Sequence, residues 1–179
     1  MLHSISSNTG LRKVDEIVLG AQGPIEFLNI PGNFRHLTIE AYLRGVSANN
    51  EEQLRLRFNN DTSTVASGGY TSVLNATESN VNDVAGAYTL CGLVIAASAG
   101  ANRFTSVTFN IPYYANTTNY KAFHTVFAGP YSTTAATYRM GSGGGLWPVA
   151  NAITRILVWT GTGAGEFATG SMATLYGLD

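Results

Sequence analysis

The stretch His36-Leu37-Thr38-Ile39-Glu40-Ala41-Tyr42-Leu43-Arg44 decides the fold class. Leu37, Ile39, Ala41 and Leu43 alternate with His36, Thr38, Glu40, Tyr42 and Arg44. A period of two is the signature of a strand with one face on a core and the other turned outward. The same pattern recurs on both sides. Leu54, Leu56 and Phe58 alternate with Arg55 and Arg57, and Val107, Phe109 and Ile111 alternate with Thr108 and Asn110. Tyr88–Ile95 and Lys121–Ala128 read as further strands, and Thr133–Met140 as another. Glu16–Leu19 and Ile25–Leu28 are short strands separated by the turn Gly20-Ala21-Gln22-Gly23-Pro24. Residues 70–87 admit no single reading. Ser142-Gly143-Gly144-Gly145-Leu146-Trp147-Pro148 reads as a flexible connection.

No segment has amphipathic helical periodicity beyond about two turns. Many short strands punctuated by Gly, Pro and Asn predict an all-β, antiparallel β-sandwich, jelly-roll-like, of roughly eight strands. The chain is expected to close on a hairpin, Ile153–Trp159 and Phe167–Leu178 joined by the turn Gly161-Thr162-Gly163-Ala164-Gly165. Residues 1–14 read as a short extended N-terminal arm, and 15–179 as a single β-sandwich domain.

The chain has 179 residues, enough for one domain with a sizeable core. Charged residues are 12% of the total, about half the usual ~25%. Ser, Thr, Asn and Gly take their place, a composition suited to β-rich proteins and to surfaces that meet a neighbour. Net charge is -1 and the ten basic residues are scattered. Nucleic-acid binding needs clustered Lys and Arg to neutralise phosphates, so that class is set aside. The apolar runs are short and interrupted, so no membrane partner is expected. The first residues lack the basic and apolar regions of a signal peptide, and synthesis in a cytoplasm is expected. The single cysteine, Cys91, lies in an apolar run and reads as buried filler.

An enzyme needs convergent acid, base or nucleophile groups. His3, His36 and His124 are far apart in sequence and none has a partner at metal-ligand spacing. His124 reads as an ordinary outward strand position. The Gly161–Gly165 run leads into a strand, whereas a dinucleotide loop must open a helix. Ser142–Gly145 lacks the Lys of a phosphate-binding loop. Asn59-Asn60-Asp61 offers oxygen ligands for calcium, but Asn and Asp also make side-chain-capped turns at strand ends. The three Asn-x-Thr sequons are short patterns in an Asn- and Thr-rich chain. No catalytic residue, cofactor or metal is assigned, and the chain is read as a non-enzyme.

Tyr113, Tyr114 and Tyr120 fall in or beside a loop rich in Asn and Thr. Exposed Tyr among small polar residues suits a protein interface or sugar stacking, and equally suits covering the end of a sheet. Leu2, Ile5, Leu11 and Val14 are apolar residues on an otherwise polar arm, which a neighbour could bury. Arg55 and Arg57 project opposite Leu54 and Leu56 and could pair with acidic groups across a subunit interface.

Three patterns occur in order: Phe27-Leu28-Asn29-Ile30-Pro31 with Phe34–Ile39; Leu54-Arg55-Leu56-Arg57-Phe58-Asn59-Asn60-Asp61; and Ile153–Ile156 with Phe167–Ser171 and Leu175–Leu178. In this order they resemble a family of small β-sandwich proteins of tailed bacteriophage particles, found as decoration, minor tail and fibre proteins. The resemblance spans most of 15–179. It departs at the middle, where Thr64-Val65-Ala66 stands and the family's Asn-Tyr is absent, Tyr70 coming later. It implies a virion structural role and a homotrimer. The short arm without a long shaft favours a capsid decoration or cement protein bound to the major capsid protein. A minor tail, fibre or receptor-binding protein, meeting tail proteins or a host surface glycan, is the alternative. A soluble carbohydrate-binding module and a hydrolase on a β scaffold are readings outside the virion class.

Overall fold

The computed structural model describes residues 10–63, 66–133, 137–161 and 165–179, with backbone only at Ala85. Twelve strands form among the described residues: β1 Arg12–Val18, β2 Ile25–Phe27, β3 His36–Leu43, β4 Glu51–Phe58, β5 Ala66–Leu74, β6 Thr77–Gly86, β7 Thr89–Ile95, β8 Thr105–Pro112, β9 Lys121–Pro130, β10 Tyr138–Trp147, β11 Ile156–Thr160 and β12 Met172–Leu178. A single 3-10 turn, Ala97–Ala99, follows β7, and no α-helix is present among the described residues.

The strands lie in two antiparallel sheets. One has eight strands in the order β1-β12-β3-β8-β9-β10-β5-β6, the other four in the order β2-β11-β4-β7. Nested pairs reveal the plan. β1 pairs with β12, β2 with β11, β3 lies beside β8, and β4 pairs with β7. Early strands thus pair with late ones, as in a long hairpin rolled into a sandwich, which is the jelly roll. Two hairpins are added to this frame. β5–β6 is inserted between β4 and β7, and β9–β10 between β8 and β11. Both join the β8 side of the larger sheet and double its width.

The alternation seen in sequence builds the core. Leu37, Ile39, Leu43, Leu54, Leu56, Phe58, Val107, Phe109 and Ile111 are all buried. Phe58 meets Phe123 edge-on at 5.6 Å and Trp147 at 5.7 Å, which binds the small sheet to β9 and β10. Arg139 of β10 adds a polar clamp. It pairs with Glu51 of β4 at 2.8 Å, donates to Ser72 Oγ at 2.9 Å and lies over Tyr131. Burial pushes the Glu51 carboxyl up, against the opposing pull of Arg139.

β7 is buried along its whole length. It is an edge strand of the small sheet, and it packs against β5, β9 and β10 of the larger one. An edge inside a protein leaves backbone groups without a ladder partner, and such groups must be satisfied another way. Two buried threonines do this. Thr125 Oγ1 donates to the Cys91 carbonyl, and Thr105 Oγ1 accepts from the Ile95 N–H at 2.9 Å. The inward face of β10 is glycine-rich for the same reason. A Cβ on Gly143 would stand 2.6 Å from the Cys91 carbonyl oxygen and 2.7 Å from that of Gly69. Cys91 itself is fully buried and its thiol donates to the Leu54 carbonyl at 3.3 Å. Burial pushes that thiol up, so it is chemically inert filler, as its sequence context predicts.

Several expectations are corrected. The chain does not end on a hairpin. β11 pairs with β2 and β4, whereas β12 pairs with β1 and β3 in the other sheet. The glycine turn between them is therefore a crossover, of which residues 162–164 lie outside the described residues. Ser142–Trp147 belongs to β10 and is no flexible connection. Of the expected strand over 133–140, residues 134–136 lie outside the described residues, and Tyr138–Met140 begin β10. The ambiguous residues 70–87 are largely the β5–β6 hairpin, whose first strand begins at Ala66.

Thr125→Val keeps the shape of the side chain and removes its donor. Chemical denaturation is expected to show a loss of about 1–3 kcal/mol, the cost of leaving one buried carbonyl unpaired. A change below about 0.5 kcal/mol, the range of neutral surface substitutions, would contradict the role given to this residue.

Candidate interaction surfaces

Arg55 and Arg57 point outward from β4, as the alternation predicts. Their guanidiniums are held by the chain's own aromatic rings. Arg55 lies over Tyr88 at 4.1 Å and Arg57 over Trp159 at 4.8 Å, while Tyr88 meets Trp159 edge-on at 6.0 Å. Arg57 Nε also donates to the Ala87 carbonyl at 2.8 Å. Stacking of this kind contributes about 0.5–1 kcal/mol at an exposed site. It also keeps two positive charges flat on the outer face of the small sheet. Tyr88 and Trp159 were not singled out in the sequence, because pairing across β11 is invisible in a one-dimensional pattern.

Tyr113 and Tyr120 stand at the ends of one loop, between β8 and β9, and both are exposed. Tyr114 corrects the sequence reading. It is fully buried, and its hydroxyl donates to the Pro31 carbonyl. The physical reason is the backbone at Tyr113, where φ is +50°. That left-handed residue turns the chain, so consecutive rings face opposite ways.

The last residues of the expected arm are built into the sandwich as the start of β1. Arg12 and Lys13 pair with Gly177 and Tyr176, and Val14 lies between them and the next paired residue at a bulge. Val14 is half-buried against the chain's own core, so it is not free for a neighbour. Leu11 is exposed. Leu2 and Ile5 lie outside the described residues.

Asn59 and Asp61, considered as calcium ligands, are committed to the fold. Asn59 Oδ1 accepts from the N–H groups of Thr154 and Arg155 at 2.8 and 3.1 Å, and its Nδ2 donates to the Ala152 carbonyl at 2.7 Å. Asp61 accepts from Ser63 and, at 2.7 Å, from Trp147 Nε1. Ser63 first, with Trp147 assisting, holds the Asp61 carboxyl below its ordinary range. Together they fasten the end of β4 to the end of β10 and to the segment before β11.

A broader feature appears on the outward face of the eight-stranded sheet. Cross-strand register places Val18, Met172, Tyr42, Ser106, Ala128, Met140 and Val73 in one row across seven strands. Val18, Met172, Tyr42, Met140 and Val73 are all exposed. Tyr42 stacks on Phe104 at 4.9 Å. With strands about 4.8 Å apart, the row runs for about 30 Å. The neighbouring row adds Val126, also exposed, and carries Thr174, Thr108, Ser142 and Thr71 with the acidic Glu16 and Glu40. An apolar groove of about 350 Å³ lies over β5, β9 and β10, lined by Val73, Val126, Ala128 and Met140. Exposed apolar side chains are thus gathered on this face of the larger sheet. Of the exposed large side chains of this row, only Tyr42 lies on a strand with a clear period in the sequence. Val73 and Met140 lay in segments whose pairing was unread.

No protein family, curated protein or solved structure matches the chain.

The two neighbouring tyrosines separate surface from core. Tyr114→Ala is expected to cost about 3–5 kcal/mol in chemical denaturation, as for a buried aromatic, and Tyr113→Ala about 0.5 kcal/mol or less. Equal losses for the two would contradict this assignment.

Proposed function

We propose that the chain is a non-enzymatic structural protein of a tailed-bacteriophage particle, a capsid decoration or cement protein that sits on the outer shell as a homotrimer and contacts the major capsid protein. The observation that carries this reading is the row of exposed apolar side chains across the eight-stranded sheet, on a chain with 12% charged residues. Such a surface binds by area and shape and needs no deep pocket. The jelly-roll frame agrees with what the sequence resemblance implies. Leu11, exposed just before β1, is placed to be covered by a neighbour, and Arg55 and Arg57 present charge on the opposite sheet. The particle is the location of the mature protein in this reading.

A second reading is favoured by Tyr113 and Tyr120, exposed on one loop at one end of the sandwich. It makes the chain a minor tail, fibre or receptor-binding protein that touches tail proteins or a host glycan.

Quantitative mass spectrometry of purified particles distinguishes these. The decoration reading predicts a copy number comparable to that of the major capsid protein. A few copies per particle would move the chain to the tail, and complete absence would overturn the virion reading altogether.

A further inference from the structure

One strand-row along from the apolar surface, β3, β8 and β9 place Thr38, Asn110 and His124 side by side on the outward face. Thr38 Oγ1 donates to Asn110 Oδ1 at 3.1 Å, and Asn110 Nδ2 stands 3.2 Å from His124 Nε2. The amide oxygen is fixed by Thr38, so the amide nitrogen faces the imidazole. His124 Nε2 then accepts, and in the neutral ring the proton sits on Nδ1. His36 is oriented in the same way. Its Nδ1 accepts from the Tyr113 N–H at 3.3 Å, which leaves Nε2–H as a donor. These side chains line an open groove of about 330 Å³, with Pro112 and Leu178 as apolar walls. The exposed ring of Tyr113 meets His36 edge-on at 4.9 Å. Tyr176 extends the Thr38 row on the other side.

We propose that this groove binds a neutral saccharide. Three observations converge. First, the hydrogen-bonding groups are pre-oriented by one another, and they offer donors and acceptors within one row. A sugar hydroxyl is itself one donor and two acceptors, so vicinal hydroxyls match a mixed row better than a carboxylate or an ammonium does. Second, Pro112 and Leu178 give apolar walls and the exposed Tyr113 ring packs against the lining His36, which suits the C–H faces of a pyranose ring. Third, among the described residues no Asp, Glu, Lys or Arg lines the groove, so a charged ligand finds no permanent counter-charge there. The volume lies at the low end of small-ligand sites, which fits one or two sugar rings. The groove over β3, β8 and β12, in contrast, is lined by Glu40, and that over β5, β9 and β10 is mainly apolar. The proposal goes beyond the assembly reading and does not depend on it, since a soluble module and a particle protein could both carry this groove.

The test is a titration of the full chain, followed by amide chemical shifts, with glucose, galactose, mannose, N-acetylglucosamine and their disaccharides, and with glucuronate as a charged control. We expect shifts centred on Thr38, Asn110 and His124 with at least one neutral sugar, and a Kd on the order of millimolar, the range of a shallow groove. Asn110→Ala is expected to weaken binding at least about fivefold, because its neighbours lose their orienting partner. Thr38→Val provides the same reading if the Asn110 variant fails to fold. Absence of shifts with every neutral sugar up to about 100 mM, far above a millimolar Kd, would overturn the proposal. So would shifts confined to another surface, binding unchanged in the folded variants, or binding of glucuronate alone.

Discussion

The structure depends on how the free edge of β7 is covered. In a plain two-sheet sandwich this strand would expose one line of carbonyl and N–H groups to solvent. Here the sheet opposite is twice as wide, and its extra half lies over β7. That contact dehydrates the edge, so the polar groups there need partners outside their own ladder. Thr125 and Thr105 provide two of them, from β9 and β8. The approach is close enough that the covering strand has glycine at Gly141, Gly143 and Gly145 where it faces inward. A glycine run that looks like a linker is thus a packing surface. Its weak β propensity is offset by ladders on both sides, to β9 and β5.

The same widening creates the surface through which the protein is proposed to act. The strands added beside β8 carry Val126, Ala128, Met140 and Val73 outward, and they extend the row that begins at Val18 and Tyr42. One half of the row belongs to the jelly-roll frame and the other to the insertions. The core and the contact surface are therefore two faces of one set of strands. Substitutions that loosen the cover on β7 are expected to disturb both. The two outer faces also differ in character. That of the small sheet presents Arg55 and Arg57 stacked on rings, whereas that of the large sheet carries the apolar row with Glu16 and Glu40 beside it.

Much of the frame is legible in the sequence because alternation is a local property. β3, β4, β8 and β9 have a regular in-out period, and each inward residue quoted from the sequence of β3, β4 and β8 is in the core. What was not legible depended on pairing. β10 has glycines where a period would show, and its strand character comes from its neighbours. The last two strands look like a hairpin in sequence, yet each finds closer partners in a different sheet. Tyr113 and Tyr114 are identical in sequence terms, and a single positive φ decides which is buried. Arg12–Val14 is polar enough to read as an arm, yet its charges are those of an edge strand, where they discourage pairing with other chains.

Native-state hydrogen exchange tests this account most directly. If the added half of the large sheet is an integral cover, the amides of Gly92–Val94 in β7 and Ser142–Leu146 in β10 exchange together, at the rate set by global unfolding. Exchange of β10 well ahead of β7, through a local opening that leaves the eight jelly-roll strands intact, would show that the insertions are an appendage and would contradict the account.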